Sequence, residues 1–304
     1  MVMQGLMDGL INGTIIGLGA IGVTLTYSIL RFANFAHGEL VSWGAYLALS
    51  ISAALGALLP GLGTPIGPFS FGWSVPIAIA GSIILTSTLA LGVDWLLFAR
   101  LRAKGSAVII LVMASFGAAL AMRNLLEFIY TSQPAYFTTA LQISKPLFAG
   151  MRATPDQLLV IGLSGVLVLV VHLLLTRSSA GRSMRAVSEN VQLASLSGID
   201  VRSVIRMVWI LGAALAAIGG IMSGLLVQIR PTMGLDLLLP LFAAAILGGI
   251  GSVPGAMLAG IIVGLAEALT VQMIGAEWRA AVSFVILIGV LLMRPQGLFG
   301  KAMA

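Results

Sequence analysis

Apolar residues run along this chain in long blocks, and short polar or glycine- and proline-rich breaks separate them. A helix needs about 20 consecutive apolar residues to cross a bilayer. Read at that length, the blocks predict spans over about 7–30, 39–58, 75–98, 106–130, 157–176, 207–228 and 280–293. The stretch 237–274 is too long for one span, since a helix rises about 1.5 Å per residue. It divides at GGIGSVPG (248–255), where Gly248, Gly249, Gly251 and Pro254 are poor helix-interior residues. Glycine weakens a helix interior by about 1 kcal/mol and proline by about 3. The pattern therefore predicts an all-α, polytopic helical membrane protein with about 8–9 transmembrane segments, some of them broken. Short segments of alternating polarity, which a membrane barrel would show, are absent.

Small residues recur at helical spacing inside these blocks. Gly5, Gly9, Gly13 and Gly17 lie on one ridge of the first helix, and Gly220/Gly224, Gly251/Gly255 and Gly260/Gly264 repeat the device. Such ridges let helix backbones approach closely. Packing within the chain is the expected use.

One polar island breaks the apolar pattern. Residues 177–206 carry Arg177, Arg182, Arg185, Glu189, Asp200, Arg202 and Arg206, with an apolar helix on either side. A basic loop between spans belongs on the cytoplasmic side. Ser183 to about Ser197 reads as a helix, with Ser183 as N-cap and Gly198 as the C-terminal stop. Val187, Val191 and Ala194 follow one helical line, and Leu193 and Leu196 another. An amphipathic helix of this kind fits a partner's groove or the membrane surface.

Composition narrows the class further. The chain is 59% hydrophobic and 9% charged, with a mean hydropathy of +1.10. The net charge of +6 is the positive-inside excess of a membrane protein, not a nucleic-acid signal. With the island inside, the inner side holds Arg31, Arg100, Arg102, Lys104, Arg294 and Lys301 besides the island's arginines. The outer loops hold only Lys145, Arg152, Arg230 and Arg279. Nine spans then put the N-terminus outside and the C-terminus in the cytoplasm. No Lys or Arg precedes Arg31, so the first segment lacks the charged start of a secretory signal and is expected to stay as a span. There is no cysteine, which removes disulfide and thiolate chemistry.

Ionisable residues inside apolar blocks are the candidates for function, because they are costly in a bilayer unless they face a cavity or a partner. In RFANFAHGELVSWGAY (31–46), Asn34, His37 and Glu39 sit where one apolar block passes to the next. They read either as a broken helix lining a path or as an ordinary cytoplasmic turn. Arg123 and Glu127, four apart, share a helix face and read as an ion pair. Glu267, alone in GLAEALT, either lines a pathway or bonds a neighbouring helix. His172 lies near the inner surface, and two distant histidines do not suggest a metal site. The only Gly-Lys pair, Gly300-Lys301, has Pro295 where a phosphate-binding loop needs its first glycine, and there is no HExxH. No catalytic residue and no bound cofactor are expected in this chain.

Four segments carry a resemblance. TYSILRFANFAHGELVSWGAY (26–46), GRSMRAVSENVQLASLSGIDV (181–201), FAAAILGGIGSVPGAMLAGIIVG (242–264) and RPQGLFG (294–300) are similar to the LivH-type permease family of bacterial branched-chain amino acid ABC importers. They spread over essentially the whole chain, 1–304, as one transmembrane permease domain with the loop 177–206 as its cytoplasmic ATPase-coupling element. The resemblance implies a second permease subunit, a paralogous LivM-type chain, two cytoplasmic ATPase subunits that bind ATP and Mg, and a periplasmic binding protein, in a bacterial inner membrane. Arg185, Ala186, Glu189, Asn190, Ala194 and Gly198 match the family's loop pattern, although Ser195 follows Ala194 and the Glu-Ala-Ala run of other importers is missing. Relatives of this kind carry leucine, isoleucine and valine, other amino acids, urea or short amides. A self-sufficient ion-coupled secondary transporter or channel is the alternative from another class, with Glu267 and Arg123/Glu127 as its coupling candidates.

Overall fold

The computed structural model describes residues 2–138, 142–146, 151–294 and 296–300. Pro295 and Lys301 lie outside the described residues. Eight helices are long and apolar enough to cross a membrane. They are α1 (Val2–Leu30), α2 (Ala36–Leu58), α3 (Ser74–Val93), α5 (Val108–Tyr130), α6 (Pro155–Arg177), α9 (Val201–Leu226), α11 (Val253–Met273) and α12 (Arg279–Met293). Two of these spans are longer than the α-helix itself. α3 continues through a π-helical turn, Asp94–Phe98, into α4 (Ala99–Ala103), and a 3₁₀ turn, Ala276–Trp278, leads into α12. The polar island folds into α7 (Ser179–Glu189) and α8 (Val191–Leu196), and a shorter apolar helix, α10 (Met233–Gly248), precedes α11.

α1 is the central post, because its glycine ridge faces α11. The two run antiparallel, with Gly5 beside Gln272, Gly9 beside Leu265, Gly13 beside Ile261 and Gly17 beside Met257. A Cβ added at Gly13 would stand 2.6 Å from the Ile261 Cα, so only glycine permits this approach. Across the seam Gly260 and Gly264 answer Gly17 and Gly13. The glycines of the sequence therefore pack the chain against itself.

α3 marks the membrane. Its exposed residues are apolar or are hydroxyls bonded back into the helix, and Trp73 and Trp95 stand exposed at its two ends. Tryptophans favour the two interfaces. Twenty-two residues separate them, about 33 Å at helical rise and close to the thickness of the hydrocarbon core. The Arg100 guanidinium stacks over the Trp95 ring at 5.2 Å.

α10 ends at Gly248, and Gly249 and Gly251 take φ of +91° and +89°, a region open to glycine and strained for other residues. Ser252 then caps α11, its side chain accepting from the Gly255 N–H, with Pro254 in the first turn. The Gly251 N–H donates to Thr24 Oγ1 at 2.7 Å, which ties the break to α1. α10, at 16 residues, is shorter than the eight candidate spans.

The island departs from the sequence reading. Ser178, not Ser183, is the N-cap, its side chain accepting from the Gly181 N–H, and the helix stops at Glu189. Asn190 takes an extended conformation and its side chain accepts from the Leu193 N–H, capping a second helix. A single helix over 183–197 fails because an asparagine caps more favourably than it propagates. α9 likewise begins at Val201, ahead of the apolar block at 207, since Asp200 caps it through the Arg202 N–H.

Candidate functional site

The segment 31–35 does not turn at the membrane surface. Arg31 ends α1 with φ +59°, and its side chain donates to the Ser188 carbonyl of the island. From there the chain runs inward. Phe32 packs on Phe98 at 5.2 Å, and the Phe35 N–H donates to Ser115 Oγ at 3.1 Å. Ser115 is seven residues into α5, about 10 Å above its start. The His37 ring lies against Gly19 and Gly22 of α1, with Gly22 eight residues, about 12 Å, from the end of that helix. α2 therefore begins roughly a third of the way into the bilayer. Irregular backbone survives at that depth only inside protein or beside a cavity. Asn34, His37 and Glu39 are all at most 3% exposed. Of the two sequence alternatives, the ordinary cytoplasmic turn does not describe this geometry.

The three polar residues serve two faces. Asn34 Oδ1 accepts from the Ala36 N–H at 3.2 Å and steadies the start of α2, while its amide nitrogen is buried without a partner. His37 is packed among α1 and α9 glycines, where a side chain at Gly22 would stand 2.7 Å from the ring. Glu39 faces α5 and accepts from Arg123 Nε at 3.1 Å and from its Nη2. The expected Arg123–Glu127 pair is thus replaced. Helical spacing allowed it, but a carboxylate buried on α2 competes for the same guanidinium and gains more from it. The other Glu39 oxygen, one turn into α2, and the Tyr46 hydroxyl, two turns further on, are buried without hydrogen-bond partners.

Glu267 has a partner set of its own. Arg279 Nε donates to it at 2.7 Å, and Ser283 Oγ donates to its other oxygen at 2.5 Å, both from α12. Its contacts are those of a residue bonded to a neighbouring helix.

The island stands at the end of the bundle reached by the termini of α1 and α6. Met184, Val187 and Ala194 close over Ile29 of α1 and Val204 and Val208 of α9. Arg185 donates to the Leu175 carbonyl at the end of α6. Ala186 is half-buried, whereas Glu189 and Asn190 are exposed. Gly198 has φ +82° and open space where a Cβ would sit. Leu193 and Leu196 point outward, 62% and 84% exposed. Apolar side chains exposed beside a polar helix end suit a surface covered by a partner protein or by the membrane interface.

Sequence reasoning missed the Glu39–Arg123 pair, a contact between residues 84 positions apart. It also missed Arg230 and Asp236, which pair at 3.4 Å on an exposed surface. Among the described residues no three His, Asp or Glu side chains gather where a metal could sit.

The family described as "Branched-chain amino acid transport system / permease component" matches residues 5–291. The chain is 33% identical to the high-affinity branched-chain amino acid transport system permease protein BraD of Pseudomonas aeruginosa, over 98% of this chain and 96% of that protein. It is 32% identical to the corresponding LivH of Escherichia coli K12, with the same coverage. A probable branched-chain amino acid transport permease protein LivH of Methanocaldococcus jannaschii is 29% identical over 99% of this chain and 92% of its own length.

Proposed function

Since the chain belongs to the branched-chain amino acid transport permease family, we propose that it is the membrane channel half of an ATP-driven importer for leucine, isoleucine and valine. It is a transport permease component and not an enzyme. In this reading two cytoplasmic ATPase subunits bind ATP and Mg. A second permease of the LivM type completes the path, and a periplasmic binding protein delivers the substrate. The island end, with the C-terminus, faces the cytoplasm of a bacterial inner membrane.

The observation that carries the reading is the island's construction. One side of the α7–α8 pair is anchored and the other is offered. The anchored side grips α1, α6 and α9 through Met184, Val187 and Ala194. The offered side presents Leu193 and Leu196 beside Glu189 and Asn190. An ATPase that seats Leu193 and Leu196 in a groove pulls on three membrane helices at once. Arg31 passes the same movement along α1 and into the start of α2, where Asn34, His37 and Glu39 border the path. Replacing Leu196 with Asp tests this. ATP-dependent uptake and ATPase association should be lost while the chain still inserts. Full association and uptake in that variant would refute the assignment of α8.

A further inference from the structure

Two motifs of the chain, GGIGSVPG at 248–255 and the tail RPQGLFG at 294–300, lie far apart in sequence and meet in the fold. α10 ends at Gly248, and the last carbonyls of a helix have no partner within it. The tail supplies two donors. The Leu298 N–H donates to the Leu247 carbonyl at 2.7 Å, and the Phe299 N–H donates to the Gly248 carbonyl at 3.3 Å. The two backbones touch through glycines. A Cβ on Gly297 would stand 2.5 Å from the Gly249 nitrogen, and one on Gly249 would strike the Gly300 backbone. The tail therefore clasps the elbow between α10 and α11 with its backbone alone.

That construction leaves side chains free. Leu298 and Phe299 are 41% and 54% exposed, and Ile250, next to Gly249, is 38% exposed. Three exposed apolar side chains on a fixed backbone form a patch that a partner or the bilayer covers. Its position favours a partner. The Gly251 N–H donates to Thr24 Oγ1, and a Cβ on Gly251 would meet the Ser28 Cβ at 3.8 Å. Ile29, the next residue, is where α1 meets the island. The elbow thus adjoins the island across the end of α1, the most covered of the eight candidate spans.

We propose that Ile250, Leu298 and Phe299 form a second docking surface for the ATPase subunit, beside the one on the island. The inference rests on the importer reading above and adds a surface that reading does not contain. The two surfaces divide the helices between them. The island grips α1, α6 and α9. The clasp holds the end of α10, and the chain runs directly from it into α11 and back from α12. An ATPase seated on both moves the two groups of helices against each other.

The test uses the permease pair in inside-out vesicles, made with and without the ATPase subunits. The chain has no cysteine of its own, so Phe299→Cys and Leu196→Cys can each be probed with a water-soluble maleimide. Both should react without the ATPase and lose that reactivity when it is bound. Phe299→Asp should weaken ATPase association about tenfold, the scale of one apolar interface anchor. A Phe299→Cys that never reacts, with or without the ATPase, puts the patch in the bilayer and overturns the inference. Equal reaction in both vesicles, or unchanged ATPase association in Phe299→Asp, overturns it as well. If Phe299→Asp does not insert, the maleimide reaction decides alone. Protection of Leu196→Cys without protection of Phe299→Cys would sink this surface and leave the island assignment standing. Failure of the ATPase to bind the unaltered pair would instead fell the importer reading and this inference with it.

Discussion

Replacing Arg123 with Leu strips the buried Glu39 of its only side-chain partner among the described residues. Glu39 lies near mid-bilayer, its side chain 2% exposed, and Arg123 is covered to 15% exposure. Water does not reach the carboxylate to take over. Removing one member of such a buried pair costs about 3–5 kcal/mol, because the remaining charge stays uncompensated. Removing both costs far less, since an amide in place of the carboxylate carries no charge. The expected order is therefore Arg123→Leu least stable, Glu39→Gln intermediate, and the double variant more stable than Arg123→Leu alone. Reversible unfolding in mixed micelles, followed by tryptophan fluorescence, measures the three differences and closes a double-mutant cycle. A coupling below about 0.5 kcal/mol, the range of distant independent sites, would refute the pair as a buried determinant of the fold.

Three other outcomes follow from named contacts. Gly264→Val pushes a side chain into the backbone of α1 at Gly13, and overpacking of this kind should cost about 1–3 kcal/mol in the same unfolding assay. Gly198→Val should lower uptake through backbone strain of about 1–2 kcal/mol, as there is open space around it, whereas Gly198→Asn, which tolerates φ +82°, should transport nearly normally. Arg279→Gln leaves one oxygen of Glu267 short of a donor and should cost about 1–3 kcal/mol. That is less than Arg123→Leu, because Arg279 is 43% exposed and Ser283 still holds the other oxygen.

The sequence was most readable where one physical rule acts alone. The apolar blocks yield the membrane helices, because a bilayer admits little else. The glycine ridge of α1 announces close packing, although only the structure names α11 as its partner. Local capping rules competed at the island. Both Ser178 and Ser183 can cap, and Asn190 can be read as interior or as cap, so one helix was expected where two short ones form. Arg123 was misread for a different reason. Spacing along a helix is visible in a sequence, but a stronger partner 84 residues away is not. The same limit hid the pairing of Arg230, which the sequence assigns to an outer loop, with Asp236 of α10. The depth of 31–35 was legible only as a choice between two readings, since it depends on contacts with Ser115 and Gly22.

The most direct measurement is leucine uptake by proteoliposomes holding this chain, its second permease and the ATPase pair, with the binding protein outside and ATP inside. The account predicts concentrative leucine uptake that requires ATP hydrolysis and the binding protein, and that disappears when this chain is omitted. Uptake by the chain alone, driven by an ion gradient and indifferent to ATP, would contradict it.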